Sequence, residues 1–101
     1  MTVVHTPQFT TELAPEILEN TLKAEGYPQV WIRQDKSGFL YPPHIHPVES
    51  TRVVLAGSME AKINGQTYFL CPGDRLTIFK NIEHTVTAGP QGCTFVIALR
   101  V

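Results

Sequence analysis

The sequence predicts an all-β domain, a sandwich or barrel, preceded by one short helix. Three observations carry that prediction. From Val30 onward, short β-prone runs alternate with Gly, Pro and Asn turns at strand-length intervals. Met59, Ala61 and Ile63 alternate with Glu60 and Lys62, the period of a half-buried strand. Asn64-Gly65 then stands between two such runs, the strongest short hairpin signal.

A chain of 101 residues supports a single domain, because a chain of this size buries only about 60–70% of its unfolded surface and needs one efficient core. We read residues 1–101 as that domain, with an arm and helix over 1–29 and the barrel over 30–100. The net charge of −1 gives no electrostatic reason to bind nucleic acid or an anionic membrane. No stretch approaches the ~20 apolar residues of a membrane span. Met1–Thr10 lacks a basic segment followed by an apolar one, so no secretory signal is expected and the protein reads as cytoplasmic. Cys71 and Cys93 are too few for a disulfide framework.

Taken in order, the first ten residues read as an arm or edge strand. Pro15 suits a first helical turn, Glu16 and Glu19 suit its positive end, and Gly26 suits the position after its close. Ile17, Leu18, Thr21 and Leu22 supply the apolar stripe of a helix over Pro15–Glu25. Val30–Arg33 is a strand and Asp35–Gly38 a turn. Thr51–Leu55 is a run closed by Ala56-Gly57-Ser58, with Met59–Ile63 as the next. Gln66–Leu70 returns from the hairpin, and Cys71-Pro72-Gly73-Asp74 turns into Arg75–Phe79. His84–Ala88 follows, then a turn at Gly89-Pro90-Gln91-Gly92, then Cys93–Arg100.

The chemistry concentrates in three histidines. His44 and His46 are two apart, so an extended chain points both imidazoles to one face. Pro47 after His46 favours that extension. Two imidazoles on a face can share one metal ion at ~2.0–2.1 Å each, although many surface strands carry the same pair as a polar patch. His84, at the start of a later strand, is placed to add a third nitrogen from across a barrel.

The surroundings of these residues resemble two signatures of one family. Gly38-Phe-Leu-Tyr-Pro-Pro-His44-Ile-His46 followed by Val53-Val54-Leu55-Ala56-Gly57 is similar to the first signature of the cupins, and Gly65, Pro72-Gly73-Asp74 and His84 to the second. The resemblance covers about Val30 to Leu99. It implies a double-stranded β-helix, the jelly-roll barrel, with His44, His46 and His84 as ligands of one divalent transition metal: Fe, Ni, Mn, Cu or Zn. The family's acidic ligand usually stands four or five positions beyond the second histidine, where this chain has Ser50 and Thr51. Counting back from Gly57 selects Ser50. Glu49 would face the other side of the strand unless a bulge re-aims it, so it stays open as a fourth ligand or an outer partner. Three neutral imidazoles leave the full 2+ charge on the site, which favours anionic substrates.

Arg52 shares a strand face with Ser50 and is a candidate carboxylate clamp, against an exposed pairing with an acid such as Glu60. Tyr41 is a candidate cover for the cavity mouth, against simple packing. Trp31, Phe39, Phe69, Phe79 and Phe95 read as core or dimer-interface residues. Asp74 is expected to accept backbone hydrogen bonds in its turn, Arg75 to be structural, His5 to be exposed, and both cysteines to be small apolar fillers.

Two functions are consistent with this pattern. One is a metal-dependent, dioxygenase-like enzyme acting on a small organic molecule or anion. The other is a non-catalytic metal or small-ligand binding or sensor module, suggested by the missing carboxylate. A metal-independent isomerase of the sugar-nucleotide type would need a histidine base oriented by a carboxylate, which is not evident. The resemblance also implies a homodimer, with the arm Thr2–Phe9 as a candidate exchanged strand.

Overall fold

The computed structural model describes residues 2–100. In chain order the elements are β1 (Val3–Thr6), α1 (Pro15–Ala24), β2 (Gln29–Asp35), β3 (Leu40–His44), β4 (Ser50–Ile63), β5 (Gln66–Leu70), β6 (Arg75–Ile78) and β7 (His84–Leu99). All pairings are antiparallel. β4 and β7 run the length of the barrel side by side, from Ser50↔Leu99 to Lys62↔Thr85. At one end β6 flanks β4 and β2 flanks β7. At the other end β5 flanks β4 and β3 flanks β7. This is the double-stranded β-helix, or jelly roll.

Two pairs of expected strands are single, bent ones. The runs 51–55 and 59–63 join as β4, and 84–88 and 93–100 join as β7. The Gly89–Gly92 segment therefore continues a strand rather than reversing the chain. The reason is local. Gly57 at φ +74° and Gly92 at φ +78° adopt a left-handed conformation that bulges a strand without turning it back. The β4–β7 register shifts between Val54 and Ala56, and again between Gly57 and Met59. A Cβ on Gly57 would run into the Gly92 carbonyl oxygen, so the two bends interlock. Asn64-Gly65, by contrast, does close a hairpin, with φ of 52° and 78° as a type I′ turn requires.

The core has two parts, separated by the sheet. Val54, Leu76, Ile78, Val86 and Phe95 pack inside the barrel. Val53, Val96 and Ala98 point outward from the same strands and are covered by Leu18, Leu22 and Tyr27. Ser50 to Val54 are consequently buried on both faces, which is why that run lacks strand alternation. Helix α1 ends one residue earlier than expected, with Gly26 at φ +101° beyond it. Its buried stripe is narrower than expected: Leu18 and Leu22 face the sheet, while Ile17 and Thr21 face solvent.

Within the single chain, β1 covers the edge of β6. Asp74 holds both sides of that junction, accepting from Cys71 N–H at 2.9 Å and from Gln8 N–H at 2.7 Å. Of the five aromatics read as core or interface residues, Phe95 is buried and Phe79 half-buried, which leaves Trp31, Phe39 and Phe69 exposed in the single chain. Two other expectations are corrected. Cys93 is a buried filler but Cys71 is exposed. His5 is half-buried, its ring edge-on to Tyr68 at 5.6 Å. No helix among the described residues is long and apolar enough to cross a membrane.

Candidate metal centre

The three histidines converge because of strand register. His44 ends β3 and His84 begins β7, and the two are direct register partners. The register shift between Tyr41 and His44 re-aims the end of β3, and His46 follows just beyond it. Ring centroids lie 4.2 Å apart for His44–His84, 5.0 Å for His44–His46 and 5.2 Å for His46–His84. One nitrogen from each ring lies within 4.8 Å of the others, close enough to hold one ion.

Hydrogen bonds set which nitrogens are free. His44 Nδ1 donates to the Pro42 carbonyl at 2.7 Å, and His84 Nδ1 donates to the Ile82 carbonyl at 2.8 Å. A carbonyl only accepts, so each Nδ1 carries the proton and each Nε2 keeps its lone pair. His84 is 1% exposed, and its Nε2 is buried without a partner. Burial holds His84 down at about pKa 4, with Arg52 and the other two histidines pushing the same way. His46 is also lowered, first by burial and then by Arg52 and His44. Both rings are therefore neutral at neutral pH, the form a metal needs. A buried, unpartnered Nε2 beside two more imidazoles fits a borderline divalent ion such as Zn, Fe, Ni or Cu. Neither His44 nor His84 is oriented by a carboxylate, as the sugar-nucleotide isomerase alternative would require.

His44 and His46 open onto a cavity of about 210 Å³, walled by Val86, Phe95 and Ile97 and bordered by Tyr41, Arg52 and Arg33. Arg52 is 3% exposed and donates through Nη2 to Ser50 Oγ at 2.6 Å. It is therefore a cavity residue and not the exposed partner of Glu60, which pairs with Lys62 instead. Tyr41 also reaches the cavity, but its hydroxyl is committed, donating to Asp35 Oδ2 at 2.8 Å. Burial and that carboxylate push its pKa up to about 12.

Glu49, left open as a ligand by the sequence, is engaged elsewhere. It lies on the same side of β4 as Thr51 and Val53, toward the helix. Its carboxylate accepts from the Tyr27 hydroxyl and pairs with Arg100 at 3.3 Å. Among the described residues, the group close enough to share one ion is His44, His46 and His84, without Glu49. Ser50, at the position of the family's acid, contributes only the hydroxyl that Arg52 uses. Arg33 and Asp35 went unremarked in the sequence as site residues. Their i, i+2 spacing on β2 was the available signal, since it sets both on one face, where they pair at 3.7 Å.

Comparison with known proteins agrees with the fold. A family model described as a cupin domain matches residues 31–98. An RmlC-like cupin from Shewanella frigidimarina is similar in structure, with a TM-score of 0.66, 16% identity, and coverage of 75% of this chain and 68% of that one. A cupin protein from Bacteroides fragilis gives 0.62 and 24%, covering 70% and 63%. The DMSP lyase DddQ from Ruegeria pomeroyi gives 0.65 and 25%, covering 71% of this chain. The chain spans 67% of the length of a cupin-2 domain containing protein from Shewanella frigidimarina and 37% of the lyase. No curated protein matches the sequence. With the family model covering more than half of its length, the chain belongs to the cupin domain family.

Proposed function

We propose that the protein is a small mononuclear metal-binding cupin in which His44, His46 and His84 hold one divalent transition metal, and that it is a metal-dependent enzyme of the dioxygenase type acting on a small organic molecule. The observation that carries this reading is the pairing of two backbone-pinned Nδ1–H groups with free Nε2 atoms, one of them buried and without any partner. A bound ion there would supply Lewis acidity or redox chemistry with dioxygen. The chain itself contributes an apolar cavity that limits water and a cationic edge at Arg52. Loading the protein anaerobically with Fe(II) and following oxygen uptake across small acids, thiols and diketones tests it. Uptake that needs both Fe(II) and one substrate class supports the reading.

A second reading is favoured by Ser50. With the family's carboxylate replaced by a hydroxyl that Arg52 already engages, the site is also suited to a non-catalytic metal or small-ligand binding or sensor module. Stoichiometric metal with no oxygen uptake and no product from any substrate, DMSP included, favours this second reading over the first. We further propose a cytoplasmic protein, on its two unpaired cysteines. A homodimer is supported by edge strand β2, where Trp31 and Ile32 are 46% and 55% exposed.

A further inference from the structure

Among the described residues, Arg52 is a cation without a counter-ion. Every other arginine of the described residues has a carboxylate partner: Arg33 has Asp35, Arg75 has Glu25 and Arg100 has Glu49. Arg52 has only the neutral Ser50 hydroxyl, and its Nε is buried with no acceptor at all. Asp35, whose partners Tyr41 and Arg33 border the cavity, is already engaged by both. Removing a guanidinium from water without pairing it costs several kcal/mol. Burial lowers its pKa to about 10, which still leaves it charged at neutral pH. A chain that keeps such a group against an apolar cavity has left the counter-ion to something that enters.

We propose that Arg52 is the anchor for a small organic carboxylate, making the ligand of this cavity a monoanion with an apolar body. This deepens the metal-centre reading and rests on it only for what the far end of the ligand meets. The charge matches: one unpaired cation asks for one negative charge, and a phosphate dianion would need further donors. The walls match as well, since Val86, Phe95 and Ile97 offer nothing polar to the rest of the ligand. The volume of about 210 Å³ equals about seven waters, so the acid has about that many heavy atoms.

The test is calorimetric titration with isobutyrate, its neutral analogue isobutyramide, and inorganic phosphate. It is run on metal-free and Zn(II)-loaded wild type and on Arg52→Met and Arg52→Lys. Methionine fills the space without the charge, and such replacements of buried ions commonly fold. Wild type is expected to bind isobutyrate at least tenfold more tightly than the amide or phosphate. Arg52→Met should lose that preference while keeping its zinc content, and Arg52→Lys should keep part of it. Equal binding of acid and amide by wild type overturns the proposal without reference to any variant. So does undiminished isobutyrate binding by Arg52→Met, or tighter binding of phosphate. An Arg52-dependent preference for the acid in protein that takes up no metal supports the anchor while removing the metal centre. The two ideas therefore fail separately.

Discussion

His44 and His84 face one another as register partners of β3 and β7, with ring centroids 4.2 Å apart and both Nδ1 atoms donating to backbone carbonyls. Backbone pairing rather than side-chain contact thus brings them together. Each ring is locked in orientation by a carbonyl two residues upstream in its own chain. The site is organised before any ion arrives, which is the arrangement expected of a binding centre assembled on rigid strands.

On the proposed reading, preorganised ligands make the folded state the one that binds the metal. At a metal concentration about 100 times Kd, binding adds about 2.7 kcal/mol to stability. For a domain of this size the melting temperature should rise by roughly 10 °C or more. Thermal unfolding of chelator-treated protein with and without Zn(II) measures this rise. It should vanish in His84→Ala.

In metal-free protein His84 should act as an acid-sensitive spot. Its folded pKa is held at about 4 by burial, below the ordinary value of 6.5. In that window the unfolded chain binds the extra proton, so stability is complete above about pH 6.5 and is lost as pH falls toward 4. His84→Leu removes this titration. Its melting temperature should change less than that of wild type between pH 6.5 and 4.5, as read by circular dichroism at stepped pH.

Arg75 ties the helix end to the sheet. It donates to both Glu25 oxygens, at 2.7 and 3.0 Å, and to Thr51 Oγ1 at 2.8 Å. Arg75→Met should cost about 1.5–3 kcal/mol in denaturant unfolding. The hydrogen bond from Arg75 lowers the Glu25 pKa below 4.5. The ion pair's contribution is therefore present above that value and lost as pH falls through the folded pKa. Because Glu25 is partly exposed, Glu25→Gln should cost less than about 1 kcal/mol at pH 7, and progressively less as pH falls below 4.5.

Gly57 bends the barrel wall. Alanine there must hold a left-handed conformation costing about 1–2 kcal/mol and also collide with the Gly92 carbonyl. Gly57→Ala should therefore lose more than about 2 kcal/mol. Gly65→Ala has the same sign of φ but open space around it, and should lose only about the conformational part. Chemical denaturation of both variants checks the difference.

What could be seen in the sequence follows from which signals are local. The Asn64-Gly65 hairpin, the Pro15 helix start and the Gly26 stop rest on one or two residues, and each stands where expected. The strand count failed at Gly57 and Gly92, because a glycine that bulges a strand and one that ends it look alike without a partner strand. The outward turn of Glu49 was readable, since strand alternation sets it opposite Ser50 and no bulge intervenes before Val54. The commitment of Glu49 to Tyr27 and Arg100 was not, because those partners lie 22 and 51 residues away. Which aromatics fill the core was not readable, because core and interface draw on the same residue types: Phe95 is buried, while Trp31 and Phe69 are exposed on their strands.

The central claim is that His44, His46 and His84 form one metal site, and elemental analysis tests it most directly. Wild-type protein without an affinity tag would be purified and measured beside a His44→Ala/His84→Ala double variant, with circular dichroism to show that both are folded. The account predicts about one equivalent of a divalent transition metal in the wild type and a loss of most of it in the variant. Wild-type protein that stays metal-free even after dialysis against Fe(II), Zn(II) and Ni(II), or a folded variant that retains its full equivalent, would contradict it.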